Sequence, residues 1–563
     1  MKKILSLLLA VLMIIGMLAG CGSSDSGEAK KPEEKDPVAE VPAEPVDPLA
    51  PMAEPVTLTT YFEISGPIQP EFSEEKLENM VYTQKQREAT NVTIQYEWFA
   101  ADSADDSEQK KNTAIATGDI PDFMIVDSTQ LALLAKTDLI RKDVDVLFET
   151  YASPLLKQWT YAEGTAAMDS ATFKGQVVAI PEVESSMDGA DFLWIRQDWL
   201  ENVGKEIPTT MEELYDVMVA FRDEDPDGNG QDDTVGMVLH KNFMTTGMGD
   251  ASGLFNGFGA YPYAWVEDGN GGLEYGSISE ENKAALEFLA KMFAEGLIQE
   301  DFATMDDMKA SELATGCKAG IQYGQSWNSV WPLAMTGMND PEAMWIAAPI
   351  VGANGQTAHP QIALNLAGYI VINSECEHPE AVIKLLNFWV ESQGNSTREV
   401  YESYMYEDPN GLMMTPQHWT MLKSYSPTQT LDDWYDVCEA LEKDDTSVLS
   451  PSAATYYPDV KGFIDGDPTL AGPYAMMGPE NSAFAAMAQY YENDLFVFDK
   501  FTGSPTKTMG SKMSLVDDKI YEYYTKVIMG TASLDDWDSF IQEVNDLGLA
   551  DITAEVNEWY AAK

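Results

Sequence analysis

Val56-Thr57-Leu58-Thr59-Thr60-Tyr61-Phe62 is a run of β-branched and aromatic residues, the composition of a strand. Working outward, Glu74 to Thr90 reads as helix, Val92 to Trp98 as strand, Asp105 to Ala116 as helix, and Phe123 to Val126 as a strand ending on Asp127. Strand, helix, strand, helix, strand is the order of a parallel sheet with helices on its faces, so the fold class is α/β. A second such stretch starts near Val177. Its helix, Met211 to Arg222, is opened by Pro208-Thr209-Thr210 and carries Glu212-Glu213 in the first turn, a capping signature. Gly368 to Ile372 reads as an apolar strand, and His378-Pro379-Glu380 opens a helix with Val382, Leu385, Leu386 and Trp389 at helical spacing. The C-terminal residues read as helical, with Tyr521, Tyr524 and Ile528 on one stripe and Leu534, Trp537, Phe540 and Ile541 on the next. No internal repeat is present.

A chain of 563 residues with 45% hydrophobic and 23% charged residues has length for two or three packed domains. Collagen-like, coiled-coil and multi-span membrane architectures do not fit it. Lys and Arg number 34 against 93 Asp and Glu, a formal charge of -59. Such a surface repels a nucleic-acid backbone or an anionic bilayer and suits a neutral ligand or a cation, so no nucleic-acid partner is expected.

Met1-Lys2-Lys3 is a short basic region, followed by an apolar run from Ile4 to Leu18 and then Leu18-Ala19-Gly20-Cys21. That run is too short for a bilayer core of about 30 Å, so residues 1–20 read as a cleaved export signal. Leu18-Ala19-Gly20-Cys21 resembles the lipobox of bacterial lipoproteins, which implies a lipid on Cys21 and attachment to the outer face of the cell membrane. Residues 21–55 read as a lipid-anchored tether: seven prolines lie between Gly22 and Pro55 among Glu, Ala, Val, Ser and Lys, with no aromatic residue to bury. The folded body is then 56–563. Its cysteines, Cys317, Cys376 and Cys438, show no CxxC spacing; three thiols are expected, with one disulfide plus a free thiol as the alternative. His240, His359, His378 and His418 are far apart and form no zinc motif.

The sharpest local signal is Asp225-Pro226-Asp227-Gly228-Asn229-Gly230-Gln231-Asp232-Asp233. Oxygen-bearing side chains at loop positions 1, 3, 5 and 9, with Gly at 6 and a backbone carbonyl at 7, match what calcium requires. Asp225, Asp227, Asn229, the Gln231 carbonyl and Asp233 are the expected ligands of a structural Ca2+. An EF-hand would place Glu at position 12, where Gly236 stands, and Thr234 to Leu239 reads as strand rather than helix. The loop is therefore a stand-alone site, with a solvated acidic turn as its bland alternative.

Leu193-Trp194-Ile195-Arg196-Gln197-Asp198-Trp199-Leu200, continuing through Pro208-Thr209-Thr210 and Phe221-Arg222 into the acidic loop, resembles the family 1 extracellular solute-binding proteins of bacterial ABC importers. Thr117-Gly118-Asp119-Ile120-Pro121-Asp122, Glu295-Gly296-Leu297-Ile298 before Phe302-Ala303, Asn373 to Asn387, and Met529-Gly530 through Asp538-Ser539-Phe540 to Tyr560 are similar to that family's motifs in the same order. The large lipoprotein branch serving oligosaccharide uptake is the most similar. One departure is Thr234, where many relatives carry Glu; a water or the Thr hydroxyl would have to fill that position.

The resemblance implies a two-lobed periplasmic-binding-protein-like fold of type II, with a ligand cleft between lobes joined by a hinge. It places 56–184 with 365–430 in an N-terminal lobe and 185–364 with 431–563 in a C-terminal lobe that carries the loop. It implies a monomer that captures a carbohydrate, closes on it, and delivers it to the permease subunits of an ABC transporter, with no bond made or broken.

Sugar rings stack their C–H faces on aromatic planes, while their hydroxyls need amides and carboxylates. Tyr323-Gly324-Gln325-Ser326-Trp327-Asn328-Ser329-Val330-Trp331 has that mixture after an apparent strand, which makes Tyr323, Gln325, Trp327, Asn328 and Trp331 ligand-binding candidates. Trp265 is another, and Tyr61 and Phe62 a third pair, at the carboxyl end of the first strand. Trp194 and Trp199, flanking Arg196, read as packing. Two other classes stay open: a peptide-binding or sensor lipoprotein on the same fold, and a glycoside hydrolase, for which no catalytic motif is recognisable.

Overall fold

The computed structural model describes residues 46–101, 105–245, 247–407 and 413–561; the export signal, Cys21 and tether residues 22–45 lie outside them. Two sheet systems organise the body. In the first, Val56–Ile64 pairs in parallel with Val92–Ala101. Beside it, Leu366–Ile372 runs antiparallel between Phe123–Val126 and Ile180–Val183. The expected parallel continuation into Phe123–Val126 is corrected, because side chains occupy the edge between them. The Thr60 hydroxyl donates to the Phe123 carbonyl (2.8 Å), the Tyr61 hydroxyl to Ile125 (2.7 Å), and Asp122 Oδ2 accepts the Thr59 N–H (2.7 Å). Leu366–Ile372 divides its side chains by strand alternation: Ile370 and Ile372 enter one core, Tyr369 and Val371 another.

The second sheet has the order Trp345–Ala348, Phe192–Arg196, Ile321–Gly324, Met248–Asp250, with every neighbour antiparallel. Phe192–Arg196 is buried on both faces, which is why it reads as a near-continuous apolar run. Leu193 and Ile195 pack with the C-terminal helices Met509–Ile528 and Trp537–Val544, whereas Phe192 and Trp194 face helices Gln429–Lys443 and Ala483–Glu492. The two expected C-terminal stripes meet: Tyr523 stacks on Phe540 at 4.0 Å, with Tyr524 and Trp537 alongside. Met211–Asp223 opens as its sequence predicts, with the Thr210 hydroxyl accepting the Glu213 N–H (3.2 Å) and the Glu213 carboxylate accepting the Thr209 N–H (2.8 Å).

Arg196 ends the central strand of this sheet with its guanidinium buried. It makes a forked pair with Asp198 (2.7 and 2.5 Å), reaches Asp340 (2.5 Å), and lies 4.9 Å from the Trp199 ring. Trp194 and Trp199 are both buried, as packing. Cys317, Cys376 and Cys438 are all unbridged.

The backbone passes between the sheets in the intervals Val183 to Phe192 and Ala348 to Leu366. These passages are tied together. The Glu184 N–H donates to the Asn365 carbonyl (3.1 Å), the Asn365 N–H to the Ser186 hydroxyl (3.1 Å), and the Asn365 amide to the Ser185 carbonyl (3.2 Å). A third passage follows Tyr425, whose N–H donates to Val183 (2.8 Å), before Leu431 enters the second sheet's core.

The expected tether is corrected at its distal end, since residues 46–55 lie on the body. The Lys384 ammonium donates to the carbonyls of Asp47 (3.3 Å), Pro48 (3.4 Å) and Ala50 (2.6 Å), and Asn387 donates to Pro48 (3.0 Å). The Met52 N–H donates to Thr90 (2.9 Å). Composition gave no sign of this, because the carbonyls are backbone groups and the cation lies far away in sequence.

Candidate functional site

Two adjoining cavities, of about 450 and 480 Å3, lie against the passages between the sheets and share Ala363, Leu364 and Asp499. The first is walled by Asp188 and Gly189 of one passage, Asn365 of another, and Tyr263, Gln325 and Trp327 of the second lobe. The second meets Asp127, Ser128 and Tyr369 from the first sheet system and Phe501 and Thr502 from the other side. Walls from both sheet systems make this the interlobe cleft of a two-lobed α/β binding protein. Asp127 stands at the carboxyl end of Phe123–Val126, where open α/β sheets place their ligands.

Of the sequence candidates, Gln325 and Trp327 line the cleft. The Trp327 indole N–H donates to Gln325 Oε1 (2.7 Å), and its ring stacks on Trp331 at 6.0 Å and 19°. Trp331 is 41% exposed on the outer side of the pair. The other candidates are buried and packed against protein. Trp265 is 3% exposed, with its ring 5.1 Å from Tyr275. Tyr61 stacks on Trp98 (4.3 Å), and Phe62 sits in a buried cluster with Phe72 and Tyr96. Asn328 is buried, donating to the Gly247 carbonyl (2.9 Å) and accepting from Gln322 (2.8 Å). Tyr323 is buried, and burial first, then Asp191 and Asp250, push its phenol well up. Residues after a strand end are not all at the cleft: the turn Ser326–Ser329 directs Trp327 outward and Asn328 inward.

Sequence reasoning missed Asp188, Asp499, Tyr263, Asn365, Tyr369 and Phe501. Nothing local marks Asp188 or Asp499 among 93 acidic residues. Burial pushes the carboxyls of both up to about 6. Asp499 Oδ1 accepts the N–H groups of Trp265 (3.2 Å) and Phe501 (2.9 Å). Trp265 therefore serves the cleft through its backbone, holding Asp499 in place. Tyr263 sits at φ +65, a costly backbone conformation for a bulky residue, on the wall of the cleft.

Behind the cleft, Asp191 and Asp250 face each other fully buried and, among the described residues, with no cationic partner in reach of either carboxyl. Burial first and then Asp250 raise Asp191 well above the carboxylate range, and burial pushes Asp250 up to about 6. A carboxyl whose folded pKa is raised contributes stability that is fully present below its unfolded pKa, near 4, and is lost as pH rises through the folded value. Stability should therefore fall between about pH 4 and 7. Asp250→Asn is expected to flatten that slope and to add about 1–3 kcal/mol at pH 8, read by urea denaturation at several pH values. An unchanged slope would refute the pairing.

In the acidic loop, Asp225, Gly228 and Gly230 have positive φ (+49, +66 and +76), which curls the chain on itself. Asp225 Oδ2 accepts the Gly230 N–H (3.0 Å), and the Asn229 amide donates to Asp227 (2.7 Å) and Asp233 (3.3 Å). Asp225 Oδ1 is buried without a partner, an orphan acceptor that suits a cation. Lys318 pairs with Asp233 on the outer side. The Thr234 hydroxyl donates to the Phe221 carbonyl (2.6 Å), so it does not stand in for the missing Glu. Among the described residues, no group of three or more His, Cys, Asp or Glu side chains is arranged to hold a metal ion.

The architecture defines a two-lobed periplasmic-type solute-binding fold. The chain belongs to the bacterial extracellular solute-binding protein family, whose profile matches residues 70–396. Lipoprotein LipO of Bacillus subtilis is 32% identical over 41% of this chain and 44% of its own length. The fructooligosaccharide ABC transporter substrate-binding protein FusA of Streptococcus pneumoniae is 27% identical over 61% of this chain and 60% of its own. The chain thus aligns with about half the length of these curated relatives. A solute-binding protein from Bifidobacterium longum infantis, described as HMO binding and ABC-transporter associated, superposes with a TM-score of 0.61 at 18% identity, over 90% of this chain and 99% of that one. An EF-hand mutant of FusA in complex with fructo-nystose superposes at 0.51 with 19% identity, over 90% and 99% of the two chains.

Proposed function

We propose that this chain is the ligand-capturing subunit of an ABC importer, taking an oligosaccharide into the interlobe cleft and delivering it to a membrane permease. The observation that carries this is Trp327, stacked on Trp331 and fixed by Gln325, beside a cavity whose other walls supply carboxylates and amides. An aromatic plane beside such groups is what a sugar needs. In this reading no bond is made or broken, and the protein is a monomer. The lobes are 56–184 with 365–430 and 185–364 with 431–563; they move about the passages tied at Asn365, and ligand contacts to both drive closure.

Two further parts belong to the same reading. Residues 1–20 are an export signal and Cys21 carries the lipid that holds the protein on the outer face of the membrane, as the name Lipoprotein LipO supports by analogy. No helix among the described residues is long and apolar enough to cross a membrane. The acidic loop binds one structural Ca2+ through Asp225, Asp227, Asn229, the Gln231 carbonyl and Asp233, supported by the orphan Asp225 oxygen and by the EF-hand of the streptococcal relative.

Native mass spectrometry of the purified protein, incubated with calcium and a mixed pool of oligosaccharides and short peptides, tests this reading. The expected result is one intact oligosaccharide and one calcium per chain. Shortened sugars in the pool would establish a hydrolase, and a retained peptide would establish a peptide binder.

A further inference from the structure

Importers of this architecture take ligands of different charge, and the cleft carries information on which. Three carboxylates reach it from three different elements: Asp127 after Phe123–Val126, Asp188 on the first passage, and Asp499 after Val497–Phe498. Asp127 and Asp499 are each held through one oxygen. Asp127 Oδ1 accepts the Gln130 N–H (2.7 Å) and Asp499 Oδ1 accepts two backbone N–H groups. Asp188 Oδ1 is buried without a hydrogen-bond partner. Asp127 and Asp499 cannot swing away from an incoming ligand without breaking the contacts that fix them.

Positive charge is missing from the same walls. Among the described residues, neither cavity is lined by Lys, Arg or His. Lys500 lines an adjoining cavity of about 690 Å3 that shares Leu364 and Asp499 with both, where Glu163, Asp494 and Asp499 outnumber it. Neutral donors are also partly spent inside the protein. The Tyr369 hydroxyl pairs with Ser170 (3.0 Å), and Ser186 donates to Glu163 (2.6 Å). One N–H of Gln361 goes to the Pro262 carbonyl (2.9 Å) and one of Asn365 to Ser185 (3.2 Å). The lining is thus rich in acceptors and poor in donors, within a protein of formal charge -59.

We propose that the cleft accepts glycans that donate hydrogen bonds, uncharged or amine-bearing, and excludes glycans built from uronic acids. The inference rests on the carbohydrate reading above and adds the charge class of its ligand. A carboxylate on the sugar would sit within several ångströms of fixed carboxylates, with no Lys, Arg or His among the described walls of these two cavities to receive it. At that range, in a half-enclosed site, the repulsion amounts to roughly 30-fold or more in affinity. A hydroxyl or an ammonium meets the same oxygens as a hydrogen-bond donor, and the ammonium gains attraction as well.

Calorimetric titration of the purified protein with size-matched fructo-, chitosan- and galacturono-oligosaccharides, in 20 mM and 0.5 M NaCl, tests this. The expected outcome is binding of the neutral or the amine-bearing class with galacturonate at least 30-fold weaker. Binding of the amine-bearing class should also fall several-fold in high salt while that of the neutral class holds. Asp499→Asn should narrow the gap between galacturonate and the preferred class without lowering the melting temperature at pH 7, since it removes a buried charge. Galacturonate binding within threefold of the best neutral or amine-bearing ligand, with saccharide binding otherwise intact, would overturn the charge inference and leave the importer reading standing. If no saccharide binds, both fall.

Discussion

Replacing Trp327 with Ala is expected to weaken oligosaccharide binding roughly 10- to 150-fold while leaving the melting temperature within a few degrees of the parent. The affinity loss follows from removing one face of a stacked sugar, worth about 1.5–3 kcal/mol in buried apolar area and ring contact. The small effect on folding follows from where the side chain sits. Trp327 is half-buried on a short turn, and what it gives the fold is one hydrogen bond to Gln325 and one stacking contact with Trp331. Trp331→Ala should cost less, because that ring lies on the outer side of the pair. Calorimetric titration with the captured glycan, beside a thermal melt, separates the two. Normal binding by the Trp327 variant, or a larger loss at Trp331, would mean the sugar does not lie on this ring.

The second large effect concerns stability. Arg196→Ala is expected to cost about 3–5 kcal/mol of folding free energy, read by urea denaturation followed through tryptophan fluorescence. The buried guanidinium neutralises Asp198 and Asp340 and covers the Trp199 ring. The truncation therefore unpairs two carboxylates and opens a gap beside an indole at the same time. Arg196→Met separates these contributions: it keeps the packing, and because both carboxylates are partly exposed, at 25% and 31%, water can take over much of their solvation. Met should thus recover more than half of the loss. A cost below 1 kcal/mol for the Ala variant would show that the ion pairs contribute little here.

These cases show where sequence reading succeeds. Gly368 to Ile372 was legible as a strand because burial on both faces leaves an unbroken apolar run, and the Met211–Asp223 helix because its cap lies within three residues of its start. The C-terminal stripes were legible because helical periodicity is local. What failed was non-local. Phe123–Val126 was taken as parallel because strand order alone cannot show that threonine hydroxyls and Asp122 seal its edge. Trp327 and Asn328 are adjacent in sequence and point to opposite sides of the same turn, so composition marked both as ligand contacts and geometry separates them. Asp188 and Asp499 were invisible because a carboxylate in an acidic chain acquires meaning only from burial and from which N–H groups hold it.

The clamp that Lys384 places on the carbonyls of Asp47, Pro48 and Ala50 sets a load path through the molecule. Tension arriving along the chain at residue 46 is delivered to helix Pro379–Gly394 and the sheet beneath it, and it stops there. The ties at Asn365 and Tyr425, to Ser186 and Val183, are not part of that clamp. In the anchored protein proposed above, the sheet system that holds residues 46–55 is the mounted part and the other the moving jaw.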